Sequence, residues 1–180
     1  IGSGLVGSEM CIRDRYYKIY QKQYSRNILA TSTVKFLNLP LTEFKNLIVS
    51  ELKDGIPVWF GAEVKKMRNQ ENGILDMNSY NYEEVFNYER LTQEENLNLH
   101  AITLAHAMSF VGVHIVDDKI IRWKVENSWG DKDNKGYFIM NDNYFDEFVM
   151  NAVVKKEYLT SKQLEMLNQE AINMNPNDPF

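Results

Sequence analysis

The sequence is poor in cysteine and histidine, and it has no long apolar run. Its one cysteine, Cys11, excludes an internal disulfide and any zinc site built from several cysteines. A single thiol fits a reducing compartment, so we expect a cytoplasmic protein. No apolar run approaches the roughly 18 residues that cross a bilayer, and no charged n-region precedes an apolar h-region. The sequence therefore predicts neither a membrane partner nor export.

Basic residues are also in deficit. The 180 residues include 20 Lys and Arg against 25 Asp and Glu, which gives a net charge of -5. Without a basic stripe to neutralise phosphates, nucleic acid is not expected as a partner. The chain does contain 44% hydrophobic and 12% aromatic residues. This composition is typical of one globular domain with a packed core.

The first fifteen residues, IGSGLVGSEMCIRDR, contain three glycines and lack an amphipathic period. They resemble translated sequencing-adapter read-through, so residues 1–15 are predicted to be a non-native segment. Cys11 falls in this segment. A catalytic thiolate is stabilised by a helix N-terminus or a neighbouring imidazolium, and no helix is predicted here. We therefore do not expect Cys11 to act as a nucleophile.

The apolar pattern of the remaining chain predicts an α+β domain. Residues 41–54 carry apolar side chains at three- and four-residue spacings, which favours a helix. Residues 108–116 and 120–125 flank a turn at 117–119 and predict an antiparallel hairpin. Further predictions are strands at 57–61, 136–140 and 152–156, a loop at 67–81, helical turns near 82–86, 92–96 and 144–149, and a last helix from the Thr160–Gln163 capping box to about Asn173. This order favours an antiparallel sheet with flanking helices over a doubly wound fold.

Chemically useful side chains fall at the open end of the predicted hairpin. His106 precedes its first strand, Asn127 follows its second, and Trp129 comes two residues later. An imidazole that exchanges a proton with a thiol needs an acceptor on its other ring nitrogen, and an asparagine oxygen provides one without adding charge. An indole beside the pair would exclude water. We therefore expect the His106 and Asn127 side chains to lie about 2.7–3.2 Å apart.

The residues around this group resemble a known family. Asn127-Ser128-Trp129-Gly130 matches the Asn-Ser-Trp-Gly signature of papain-like cysteine peptidases. The blocks LAHAMSFVGV and KVENSWGDKDNKGYF, with FLNLPLTEFKNL, KDGIPVWFG and LDMNSYNYEEVF, resemble the aminopeptidase C and bleomycin hydrolase family over residues 34–160. The resemblance implies a papain-like C-terminal half at residues 16–160, with an antiparallel sheet forming a partial barrel, and a C-terminal helix and arm at 161–180.

The resemblance also implies roles for the site residues. His106 would be the catalytic base and Asn127 its orienting partner, with Trp129 packed over both. The family's nucleophilic cysteine and oxyanion-binding glutamine belong to an N-terminal half that is missing here, so the chain alone is expected to be inactive. The implied reaction removes N-terminal residues from peptides. The implied partners are peptide substrates, the missing half of the same polypeptide, and further copies in a homohexamer.

Other interpretations of these residues remain open. A core histidine, a turn asparagine and a core aromatic are the structural alternatives for His106, Asn127 and Trp129. The alternative function is a non-catalytic binding module derived from such a peptidase. A third hypothesis is a stand-alone hydrolase that uses Cys11, in which Cys11→Ser would abolish turnover.

The remaining histidines and paired acids are assigned no chemical role. His100 lies six residues before His106, which is the wrong spacing for a zinc-binding H-E-x-x-H helix. His114 interrupts an apolar strand, and Asp117–Asp118 is interpreted as a turn rather than a carboxylate pair. We therefore expect no metal and no cofactor.

Overall fold

The computed structural model describes residues 3–7, 15–22, 33–69, 71–87, 89–130 and 135–178. Its strands are β1 (Ser3–Gly7), β2 (Ile19–Lys22), β3 (Lys35–Asn38), β4 (Val58–Ala62), β5 (Arg68–Asn69), β6 (Ile74–Leu75), β7 (His106–Val116), β8 (Lys119–Glu126), β9 (Tyr137–Asn141), β10 (Val149–Lys155) and β11 (Ile172–Met174). Its helices are α1 (Leu41–Lys53), α2 (Tyr82–Phe86), α3 (Gln93–Asn98), α4 (Asp142–Phe148) and α5 (Ser161–Met166), with a 3₁₀ turn at Lys156–Tyr158. In these ranges no helix has the length and apolar character needed to cross a bilayer.

The strands form one mixed sheet in the order β11-β2-β3-β1-β10-β4-β7-β8-β9-β6-β5. From β10 to β9 neighbouring strands pair antiparallel, whereas the β1–β3, β2–β11 and β6–β9 pairs are parallel. The pairing does not close the described strands into a barrel, because β11 and β5 remain edges. The α+β class predicted from the sequence is confirmed.

The predicted hairpin is formed by β7 and β8. Its turn residues Asp117 and Asp118 both adopt positive φ angles, 48° and 60°, the conformation that two-residue hairpin turns require and that Asp tolerates. Lys119, predicted as part of the turn, instead begins β8 opposite Val116. The hairpin therefore carries residue 106 and residue 127 at the same open end.

The core lies between this hairpin and helices α1 and α4. Phe110 of β7 stacks on Phe60 of β4 with ring centroids 3.7 Å apart, and it lies 5.1 Å from Trp123 of β8. Phe145 of α4 lies 4.8 Å from Trp123 and 5.8 Å from Phe44 of α1. All five rings are fully buried. Burial of this aromatic area is the main force that fixes both helices on the sheet.

The predicted last helix is wrong at its C-terminal end. The capping box of Thr160 and Gln163 forms as expected, but the helix ends at Met166 and Ile172–Met174 becomes strand β11. Burial alternates from Ile172 to Met174 with a period of two, and Asn173 Oδ1 accepts a hydrogen bond of 2.8 Å from Gln21 Nε2 of β2. Pairing with a distant strand therefore outweighs the local helical pattern.

The predicted loop at 67–81 contains two short strands, β5 and β6. Ile74 and Leu75 of β6 pair parallel with Ile139 and Met140 of β9. Two-residue strands carry no measurable period, so the sequence pattern could not indicate β5 and β6.

Two other boundaries also differ from the prediction. Helix α4 begins at Asp142 rather than near 144, and β10 begins at Val149 rather than at 152.

The first fifteen residues lie partly within the described chain. The backbone of residues 3–7 forms β1, paired with β10 and β3. Residues 8–14, which include Cys11, lie outside the described residues. The non-native origin of residues 1–15 stays a prediction.

Candidate active site

His106 is placed by the pairing of β7 with β4. It is the first residue of β7 and lies opposite Ala62, whose carbonyl also accepts a hydrogen bond of 3.3 Å from the backbone N–H of Ala105. Ala62 is completely buried, whereas His106 is half-buried. The strand pairing thus fixes the backbone of His106 while its ring remains accessible.

Asn127 is placed by the loop between β8 and β9. It follows Glu126 at the end of β8, and its backbone N–H donates to the carbonyl of Gly136 at 2.8 Å. Gly136 has a φ of +85°, and an added Cβ would lie 3.2 Å from the Gly130 carbonyl. Only glycine closes this loop without strain. The backbone bond to Gly136 holds Asn127 in place, with 8% of its surface exposed.

The two side chains meet as the sequence predicts. His106 Nε2 lies 2.8 Å from Asn127 Oδ1, within the expected 2.7–3.2 Å. The backbone N–H of Ser128 donates to the same oxygen at 2.9 Å. Since this oxygen accepts both bonds, Nε2 carries the donated proton. In the described part of the chain no hydrogen bond occupies Nδ1, which leaves that nitrogen available to a reacting group.

Trp129 lies against the imidazole. Its ring centroid is 4.7 Å from that of His106, and the ring forms a T-shaped contact with Phe138, with centroids 5.9 Å apart. The Arg68 guanidinium carbon lies 4.9 Å from the Trp129 centroid, a cation–π distance. Trp129 retains 39% exposure, so it covers one side of His106 while facing solvent itself. The sequence pattern of residues 67–81 gave no indication that Arg68 would contact Trp129.

Behind the pair, Gly61 of β4 is tightly packed. An added Cβ would lie 2.5 Å from Leu104 Cδ1 and 2.8 Å from the Oδ1 of buried Asn151. Gly61 pairs with both Asn151 of β10 and Ala107 of β7. The side chain of Leu104, two residues before His106, can lie against β4 at this point because residue 61 has no side chain.

The other sequence candidates do not join the pair. His100 is exposed in the turn after α3 with a φ of 54°, and His114 is exposed on β7. Asp117 and Asp118 form the hairpin turn at the opposite end of β7. Within the described ranges, no group of three or more His, Cys, Asp or Glu side chains is arranged to hold a metal.

Comparison with known proteins gives consistent similarities. The sequence model of the Peptidase C1-like family matches residues 9–180. Aminopeptidase C of Lactobacillus delbrueckii subsp. lactis is 39% identical over 170 residues, covering 92% of this chain and 38% of that protein. Human bleomycin hydrolase is 35% identical over 172 residues, again covering 92% and 38%. This chain therefore spans about two fifths of the length of these relatives.

A solved structure extends the similarity to the fold. The crystal structure of PepW from Lactobacillus rhamnosis HN001 superposes with a TM-score of 0.93 at 34% identity, covering 99% of this chain and 41% of that one. The resemblance to aminopeptidase C and bleomycin hydrolase is thus confirmed. The family match includes both His106 and Asn127. The chain belongs to the Peptidase C1-like family.

Proposed function

We propose that this chain supplies the His–Asn part of a cysteine-type aminopeptidase, whose nucleophilic cysteine lies in another part of the same polypeptide. The observation that carries the proposal is the 2.8 Å bond from His106 Nε2 to Asn127 Oδ1, with Ser128 N–H on the same oxygen. This bond fixes one imidazole tautomer and directs Nδ1 away from the asparagine. A ring held in this way is suited to exchange one proton with a thiol.

The proposed reaction proceeds in two balanced steps. The thiolate attacks the scissile carbonyl carbon, and the peptide C–N bond breaks as the imidazolium of His106 gives its Nδ1 proton to the leaving amine. Water then attacks the thioester while Nδ1 takes a proton from that water. The acyl group leaves as a carboxylic acid, which gives its proton to solvent, and the thiolate–imidazolium pair is restored. Trp129, packed on the ring at 4.7 Å, limits water access to the His–Asn bond.

Substrate specificity and oligomeric state are also part of the proposal. Cleavage is restricted to peptide N-termini, and the assembled protein is a homo-oligomer, as the family resemblance implies. The similarity to proteins named aminopeptidase C and bleomycin hydrolase supports the first feature. Residues 1–15 are proposed to be of non-native origin, although the backbone of residues 3–7 pairs within the sheet as β1, and Cys11 has no part in the reaction.

The experiment uses a polypeptide that joins this chain to the missing half carrying the cysteine. His106→Ala should lower kcat/KM for an aminoacyl substrate by about 10²–10⁴-fold, because the proton transfer to the leaving amine is lost. Asn127→Ala should lower it less, since the imidazole remains. His114→Ala is the matched control, because that histidine is exposed on β7.

Two outcomes would contradict the assignment. Undiminished turnover in a folded His106→Ala protein would instead favour a non-catalytic binding module as the function of this chain. Turnover by the 180-residue chain alone that is lost in Cys11→Ser would instead support a stand-alone hydrolase.

A further inference from the structure

A cavity of about 580 Å³ lies beside Arg68, between the segment that follows β4 and helix α4. Its size is within the range of sites that bind small ligands. Lys65, Lys66, Arg68 and Arg90 line it together with one acid, Glu147. The cavity is thus locally basic in a chain whose net charge is -5. A low-dielectric concave site with one sign of charge attracts the opposite sign.

The lysines of this cavity are available for a ligand. In the described residues neither the Lys65 nor the Lys66 side chain forms an ion pair, and both are exposed. Arg90, by contrast, pairs with Glu83 and donates to the Met77 carbonyl at 3.2 Å. The unpaired positive charge is therefore concentrated on the side of the cavity formed by Lys65 and Lys66.

The cavity wall is held in place by tyrosines. Buried Tyr144 of α4 places its hydroxyl 3.0 Å from the Glu63 carbonyl and 2.9 Å from the Lys66 carbonyl, which fixes the turn that carries both lysines. Tyr80 donates to the Arg68 carbonyl at 3.3 Å, and its ring stacks on Tyr82 with centroids 5.6 Å apart. The wall therefore offers flat apolar surface as well as charge, which suits a peptide better than a bare inorganic ion.

The cavity is joined to the candidate catalytic pair through two ring contacts. Arg68 lies 4.9 Å from the Trp129 ring, and Trp129 lies 4.7 Å from His106. The leaving amine must sit at His106 to receive its proton. Two or three extended residues beyond that amine span about 7–11 Å. The end of a short leaving peptide can therefore reach Arg68 along the Trp129 surface.

We propose that this cavity binds the carboxylate groups of the leaving part of the substrate, so that short peptides with acidic residues or a free C-terminal carboxylate beyond the scissile bond are preferred. This inference rests on the proposed function for its direction along the substrate. It rests on the cavity alone for its ligand chemistry. The two parts are separable by experiment.

The test measures peptide binding to the 180-residue chain by calorimetry, which needs no nucleophile. The probes are Ala-Ala-Glu-Glu with a free carboxylate and its neutral counterpart Ala-Ala-Gln-Gln amide. The acidic peptide should bind about tenfold more tightly, and added salt should reduce the difference by screening. The double variant K65Q/K66Q should remove most of this preference. K156Q is the matched control, because this exposed lysine does not line the cavity.

Each outcome of the binding test either supports or overturns the proposal. Equal binding of both peptides by the folded chain overturns the proposal, as does a preference that survives in both K65Q/K66Q and R68Q. Competition by inorganic phosphate at equal concentration would assign the cavity to small anions instead and also overturns it. An acidic preference that persists in H106A supports the cavity independently of catalysis. Loss of turnover in the H106A variant of the joined polypeptide, together with no acidic preference in the 180-residue chain, would leave the peptidase proposal intact and reject this one.

Discussion

The strands that carry His106 and Asn127 differ sharply from the connection between β4 and β7. In these strands and the adjacent β4, the large rings of Phe60, Phe110 and Trp123 have no exposed surface. In the connection, Val85 and Phe86 expose 72% and 68% of their surface. Regions with few buried apolar contacts open locally at low free energy, whereas core strands open only with the whole domain.

Backbone conformation shows the same contrast. Met67, Asn87 and His100 of the connection adopt φ angles of 49°, 50° and 54° without being glycine. Such residues cost conformational energy that the surrounding contacts must offset. The proton-handling pair therefore lies on the rigid region, whereas the basic cavity is built largely from the irregular one. Precise geometry is needed for proton transfer, and charge attraction tolerates looser geometry.

The largest test of this contrast compares two phenylalanines. Phe110→Ala should destabilise the chain by about 3–5 kcal/mol, because Phe110 is fully buried against three aromatic rings. Phe86→Ala, at an exposed position in α2, should change stability by less than about 0.5 kcal/mol. Urea unfolding of both variants measures the difference. Similar losses for both would mean that the connection is as tightly packed as the strands, in the isolated chain or in an oligomer that covers Phe86.

What the sequence could predict follows the same division. The spacing of Phe44, Leu47 and Ile48 indicates α1, and the apolar run ending at Asp117 indicates the hairpin, because both patterns are long enough to show their period. Once the hairpin was predicted, His106 and Asn127 had to lie at the same end. Their 2.8 Å contact could therefore be expected from the sequence.

Contacts set by distant pairing could not be predicted. Arg68 reaches Trp129 from a two-residue strand with no period of its own. The close packing at Gly61 depends on β10, about 90 residues further along the chain, which brings Asn151 beside it. The early end of α5 likewise follows from pairing of β11 with β2. In each case a tertiary contact decides what the local pattern leaves open.

A smaller test compares two strand glycines. Gly61→Ala should destabilise the chain by about 1–3 kcal/mol, since its Cβ must displace Leu104 and the buried Asn151. Gly112→Ala is the matched control. An added Cβ there meets only Lys124 Cβ at 3.6 Å, an ordinary contact, so alanine should be neutral or slightly stabilising. If Gly61→Ala also proves neutral, Leu104 is displaced at little cost, and the end of the connection that leads to His106 is as loosely packed as the part that carries Val85 and Phe86.

The smallest expected effect concerns two carboxyls with opposite pKa shifts. Burial raises the pKa of Glu51 on α1, although the backbone N–H of Lys155 donates to it and opposes the shift. At Asp76 in the connection, burial also acts upward, but hydrogen bonds from the Asn78 N–H and from the Asn143 and Asn141 side chains outweigh it and lower the pKa.

These shifts give stability changes of opposite sign with pH. An acid whose pKa is raised by folding loses its contribution as pH rises from its unfolded value, ~4.3 for Glu, towards the folded one. An acid whose pKa is lowered contributes fully above its unfolded value, ~3.9 for Asp, and loses that contribution as pH falls towards the folded value. The free energy of unfolding, measured from acid to neutral pH, should therefore increase for Glu51→Gln relative to the unmodified chain as pH rises. Asp76→Asn should be less stable than the unmodified chain near neutral pH, and the two stabilities should converge in acid. Parallel pH profiles for both variants would show that the hydrogen bonds to Asp76 do not stabilise its ionised form. Hydrogen bonding would then not order this irregular region.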